Sequence, residues 1–199
     1  MSGKIKLNAG SGGGSFSLQA PASSGNTRVY TLPDSAHIST LAGITEADQW
    51  YLTSDWTTNG AVITSWSRFT TANVAAASPL GTGMSHSSGN FTFPSTGKWL
   101  VLVSGVFAIT GGDTVLIHTK VTVDNSSYNV YATSKDGNTT GGSVKGGGSV
   151  SFAFVDVTDT TQVKAHFYAT SISSGSDITG YSSTDGVQTS VIFIRLGDT

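Results

Sequence analysis

Four histidines, His37, His86, His118 and His166, are the first side chains in this sequence that could ligate a metal or move a proton. None stands at a metal-ligand spacing from another His or a carboxylate on one helix face. His118 and His166 fall at strand positions expected to point outward, where a solvated or hydrogen-bonded imidazole is the ordinary role. Gly83-Met84-Ser85-His86-Ser87 imitates a nucleophile elbow, but it lacks the final glycine and the strand-to-helix turn, so it reads as a loop. Gly10–Gly14 could cradle a phosphate only if a Lys-Ser/Thr and a helix followed, and neither does. Asp156 and Asp159 come nearest to the carboxylate pair of a glycan-cleaving enzyme, yet they flank an expected hairpin turn. No enzyme is expected. Asp113, Asp124, Asp136 and Asp177 could offer oxygens to calcium. They lie in different loops with no D-x-D-x-D-G series, so no cofactor is expected and calcium stays the one metal worth testing.

Recognition is a better use of the polar residues. Tyr128, Tyr131, Tyr168 and Tyr181 lie in or near stretches rich in Ser, Asn and Gly. Tyr supplies rigid contact area and its small polar neighbours supply adaptable hydrogen bonds. Such a surface suits a glycan, and these four are the candidate receptor-binding residues. Tyr128 and Tyr131 could equally do no more than flank strands. The net charge of −2 argues against nucleic acid as the main partner, because phosphate binding needs clustered Lys and Arg. The chain has no cysteine, so disulfides and thiolate sites are excluded. No apolar run is long enough for a membrane-spanning helix. The start, Met1–Gly10, lacks the apolar stretch of a signal peptide, so synthesis in a cytoplasm without export is expected. The glycosylation sequons at Asn90, Asn125 and Asn138 then carry no meaning.

The elements that must position these residues are strands. Only 11% of residues are charged, and Gly, Ser and Thr fill the deficit, as in β-rich proteins with many glycine turns. Lys4–Asn8, Ser15–Ala20 and Thr27–Leu32 alternate polar and apolar residues between turn-forming segments. Ile5, Leu7, Phe16, Leu18, Val29 and Leu32 are too few for an independent core. Residues 1–48 therefore read as a small β-rich arm that leans on sister chains or on a larger body. From Gln49 onward, strands are expected at Trp50–Leu52, Val62–Phe69, Asn90–Phe93, Lys98–Ile109, Val115–Val123, Tyr128–Thr133, Val144–Val157, Gln162–Thr170 and Val187–Leu196. Val115, Ile117, Val121 and Val123 would face inward. Lys135–Asn138 would turn at its Asp-Gly, and Thr158–Thr161 would join Val144–Val157 to Gln162–Thr170 as a hairpin. Thr71–Ala77 is the one helix candidate, and it is short. Strands at this spacing imply an all-β sandwich or jelly roll over residues 49–199.

Two strands are apolar on both faces. Trp99, Val101, Val103 and Phe107 alternate with Leu100, Leu102 and Val106. Val191 and Phe193 alternate with Ile192, Ile194 and Leu196. An antiparallel strand commonly shows one face to water, so these strands need a second cover. Which set faces the domain's own core is open from sequence.

Phe91-Thr92-Phe93-Pro94, followed by Gly97-Lys98-Trp99 and an apolar strand, resembles the C1q/TNF-like jelly roll. Ser190–Asp198 resembles that family's last strand, and the segment Gly147–Phe167 resembles its penultimate hairpin. The N-terminal segment resembles the leader of structural proteins from marine bacteriophages such as cyanophages. Together the resemblances imply a virion fibre or tail appendage protein whose 1–48 arm, through Ile5, Leu7, Phe16, Leu18, Val29 and Leu32, attaches to other tail or capsid proteins. They imply a homotrimeric C1q-like head, 49–199, that binds a host-surface glycan or receptor. The inner sheet would be lined by Trp99, Leu100, Val101, Leu102, Val103, Phe107, Ile192, Phe193 and Ile194. A capsid decoration without a receptor role is the alternative, followed by a glycan depolymerase.

Overall fold

The computed structural model describes residues 4–8, 15–19, 44–68, 78–139, 145–173 and 175–199, with the backbone alone for 4–8, 15–19 and Lys145. The chain divides into two compact units, Met1–Leu41 and Ala42–Thr199. In the first, β1 (Lys4–Asn8) and β2 (Ser15–Gln19) form an antiparallel hairpin that sets Ile5 opposite Leu18 and Leu7 opposite Phe16. Val29, Leu32 and the strand expected at Thr27–Leu32 lie outside the described residues, as does the helix candidate Thr71–Ala77.

The second unit is a sandwich of two antiparallel sheets. Its strands are β3 (Ala47–Leu52), β4 (Ala61–Val62), β5 (Trp66–Arg68), β6 (Ser85–Ser87), β7 (Asn90–Thr92), β8 (Gly97–Ile109), β9 (Thr114–Thr122), β10 (Asn129–Gly137), β11 (Lys145–Val157), β12 (Lys164–Thr170), β13 (Asp177–Ile178) and β14 (Ser190–Gly197). One sheet runs β11-β8-β14-β3-β5, with β13 added to β8. The other runs β10-β9-β12-β7-β6, with β4 added to β12. We call them the β8 sheet and the β9 sheet. No helix occurs among the described residues. The all-β expectation holds, and the sheet order is that of a jelly roll.

The core lies between the sheets. Trp99, Phe107 and Phe193 from the β8 sheet meet Phe91, Phe167 and Ile117 from the β9 sheet, all fully buried. Phe91 packs against Phe193 at a centroid distance of 5.1 Å and against Phe167 at 5.5 Å. Phe193, in ring contact with both Phe91 and Phe167, ties one sheet to the other at the centre. Asp48 fastens the edge: its carboxylate accepts from Trp50 Nε1, the Met84 amide and the Arg68 guanidinium.

Several local expectations need correction. Ala47 and Asp48 belong to β3 and pair with β14, so the head begins before Gln49. The stretch expected as one strand, Val62–Phe69, holds parts of two strands over its described residues: β4 joins the β9 sheet and β5 the β8 sheet. Asp136-Gly137 makes no turn; β10 runs straight through it, paired with Val115 and Thr114. β11 and β12 are not hairpin partners. β11 pairs with β8 and β12 with β9, so Thr158–Thr161 carries the chain between sheets. Val123 is exposed, because β9 ends at Thr122 and the alternation ends with it.

Candidate functional site

The two-faced strands lie side by side. β8 sits between β11 and β14, with Val103 opposite Val191, Leu102 opposite Ile192 and Leu100 opposite Ile194. Trp99, Val101, Val103, Phe107, Val191 and Phe193 are all within 1% of complete burial and face the core. Of the nine residues expected to line the inner sheet, Trp99, Val101, Val103, Phe107 and Phe193 are core side chains. Leu100, Leu102, Ile192 and Ile194 take the opposite face, where they are half-buried.

Sequence reading missed the third strand of that face. Val150, Phe152 and Phe154 of β11 are 65%, 62% and 64% exposed. Register aligns Phe154, Leu100, Ile194 and Ala47 in one row, and Phe152, Leu102, Ile192 and Gln49 in the next. The signal was present in Val150-Ser151-Phe152-Ala153-Phe154-Val155. Its larger members alternate with Ser and Ala, which points the bulk away from the core side. The Lys98–Asp156 ion pair bounds one end of the face. Ser104, Ser190 and Tyr51 close the other, with Tyr181 packed over Tyr51 at 5.8 Å. At the β3 edge, opposite the phenylalanines, a shallow depression of about 240 Å³ is lined by Ala47, Asp48, Gln49, Ser78, Leu80 and Ile192.

The tyrosines divide between the sheets. Tyr128 and Tyr168 both flank His166 on the outward face of the β9 sheet. Tyr128 stacks on the imidazole at 3.9 Å with 15° between the planes. The Tyr128 hydroxyl donates to Asn90 Oδ1 (2.9 Å), and the same oxygen lies 3.3 Å from His166 Nδ1. Tyr168 donates to the Gly60 carbonyl, and its ring lies 3.9 Å below Lys120 Nζ. Tyr131 stands exposed at a bulge in β10. Tyr181 lies in a loop and packs on Tyr51 of the β8 sheet. The structure thus brings together two of the four.

The histidines keep structural company. His166, expected as an outward imidazole either solvated or hydrogen-bonded, is 7% exposed beneath Tyr128 and takes the hydrogen-bonded role. Burial, reinforced by the Lys120 charge, pushes its pKa down to about 4. His118 bridges Thr133 and Thr170, and burial first, then Lys120, lowers its pKa. His86 packs on Trp50 and Phe91 and is lowered by burial. His37 lies outside the described residues. The aspartates are held by loop amides and hydroxyls. Asp124 accepts from the Ser127 amide, the Thr122 hydroxyl and the Ser126 amide, which hold its carboxyl well below the usual range. Asp113 accepts from Ser173, and Asp159 from Thr161. Among the described residues no three metal-ligating side chains converge.

No family model matches the chain, and no curated protein matches it. Solved structures do. An Eiger TNF from S. frugiperda superposes with a TM-score of 0.60 at 13% identity, covering 79% of this chain and 96% of that one. Murine APRIL at pH 8.5 superposes with a TM-score of 0.54 at 8% identity, covering 76% and 98%. At such identities the likeness speaks for the fold alone. With the two sheets and their order, it places residues 42–199 in the TNF-like jelly-roll fold.

Proposed function

We propose that this chain is a non-enzymatic virion structural protein, a tail fibre or appendage, whose jelly-roll head forms a homotrimer and binds a host-surface glycan. One observation carries the assembly: the outer face of the β8 sheet is apolar over three adjacent strands and has no cover among the described residues of the head. Burying such a face stabilises an assembly by about 25 cal/mol per Å². The protruding Phe152 and Phe154 lie at one edge and the depression beside Ala47, Leu80 and Ile192 at the other. Knob and hollow at opposite edges suit a head-to-tail contact, which closes into a ring when each copy repeats it. Threefold closure is the assembly implied by the sequence resemblance. The virion role is supported by the resemblance of the N-terminal segment to phage leaders. Three heads would raise weak glycan affinities through multivalency.

The experiment is light scattering on the purified chain, with labelled protein then applied to host cells. A mass three times that of the chain, with Leu102→Glu and Phe152→Glu reduced to folded monomers, is the expected result. Monomers at micromolar concentration would defeat the assembly reading. A trimer that ignores host cells and maps to capsid faces would point to decoration instead.

A further inference from the structure

The head, residues 42–199, carries seven Lys and Arg against eleven Asp and Glu. Three cations are ion-paired: Arg68 with Asp48, Lys98 with Asp156 and Arg195 with Asp198. Lys120, Lys135 and Lys164 form no ion pair with any described residue. All three share the outward face of the β9 sheet. Register sets Lys164 opposite Thr122, His166 opposite Lys120 and Lys135 opposite Leu116, so each lies on the side of His118. The outward positions of β9 and β12 hold no carboxylate: they are Thr114, Leu116, His118, Lys120 and Thr122, then Lys164, His166, Tyr168 and Thr170. Asp124, just beyond β9, is turned to its own loop amides. Of the six cations of this acidic head whose side chains are described, the three without an ion pair thus share one face.

That face also holds the Tyr128 platform, whose ring is fixed on His166 and whose hydroxyl is tied to Asn90. From the row of Leu116 to that of Thr122 is roughly 20 Å at about 3.4 Å per strand residue. Lys135 stands at one end of that span, Lys164 at the other. A compact anion cannot touch all three lysines, whereas an extended polyanion can. We infer that the outward face of the β9 sheet binds an acidic polysaccharide, its carboxylates held by Lys120, Lys135 and Lys164 and a sugar ring laid on Tyr128. This rests on the glycan reading above and adds the charge class and the place. An acidic glycan fits better than nucleic acid. Nucleic acid binding needs clustered Lys and Arg along the backbone, and its dense phosphates would meet only three lysines here. The stacked tyrosine with its amide neighbour offers an apolar face for a sugar and polar groups for its hydroxyls.

The test is a binding titration of the full chain with oligogalacturonate, its fully methyl-esterified neutral form and single-stranded DNA of equal length, at low and physiological salt. Oligogalacturonate should bind, weaken as salt rises, and lose about tenfold in affinity in each of Lys120→Gln and Lys164→Gln. Light scattering should show both variants assembled as the parent is. Equal affinity for the esterified form, indifferent to the lysine variants, overturns the inference and leaves the glycan reading standing. DNA bound as tightly as the uronate also overturns it. If neither saccharide binds, this inference fails; if the intact protein also ignores host cells, the glycan reading falls with it.

Discussion

Asp48 shows how one residue can lock an edge. Its side chain is 1% exposed, yet it satisfies the Trp50 indole, the Met84 amide and Arg68 together. Removing it strands a partly buried guanidinium. Asp48→Ala should therefore cost about 3–5 kcal/mol, the range for breaking a buried pair by deleting one member. Urea unfolding that finds less than 1 kcal/mol would reduce Asp48 to a surface contact. His166 gives a different prediction. Its folded pKa of about 4 lies below the ordinary value of 6.5. The unfolded chain therefore binds the proton more readily, and stability falls as pH drops from about 6.5 towards 4. The loss attributable to His166 is bounded at about 3 kcal/mol, at about 1.4 kcal/mol per pKa unit, and solvent screening brings it below that bound. His86 and His118 titrate in the same direction, so His166→Gln should flatten the pH slope of the melting temperature without abolishing it. An unchanged slope would place the acid sensitivity elsewhere. His166 also shows what sequence reading loses: its outward position on β12 was legible, but Tyr128, which covers it, comes from a loop and gave no signal.

At the scale of elements, alternation within one strand was legible and pairing between strands was not. The Trp99–Phe107 pattern divides inside from outside as periodicity requires, because neighbouring side chains on a strand point oppositely. The β11–β12 turn misled, because a short polar turn between two strands looks alike whether they pair or part into different sheets. Asp136-Gly137 misled for a related reason: its turn preference yields to the ladder that β10 makes with β9. Gly89 lies in the turn between β6 and β7. Its φ is +87°, and an added Cβ would stand 2.4 Å from Val62 Cγ1 and 3.0 Å from the Ile63 carbonyl oxygen. Gly89→Ala should cost about 1–3 kcal/mol, from the left-handed backbone and the displaced β4 segment. A melting temperature within a degree of the parent would show that the β6–β7 turn can reshape.

At the scale of the molecule, a head that assembles through the β8 sheet has a stability tied to concentration. The unfolding midpoint should rise with protein concentration, because mass action favours the associated native state. In the Leu102→Glu monomer it should not. Midpoints independent of concentration in both would show that the apolar face contributes nothing to the native state in solution. Composition, strand spacing and the two-sided strands were enough to predict an all-β sandwich with a face in need of cover, since burial and period are properties of the chain itself. Which face that is waited on the tertiary structure. Leu100 and Val101 are equally apolar, and only the position of the opposing sheet decides that Val101 is core and Leu100 is not. The same holds for the charged face. Lys120, Lys135 and Lys164 are scattered in sequence, and the pairing of β9, β10 and β12 brings them onto one face.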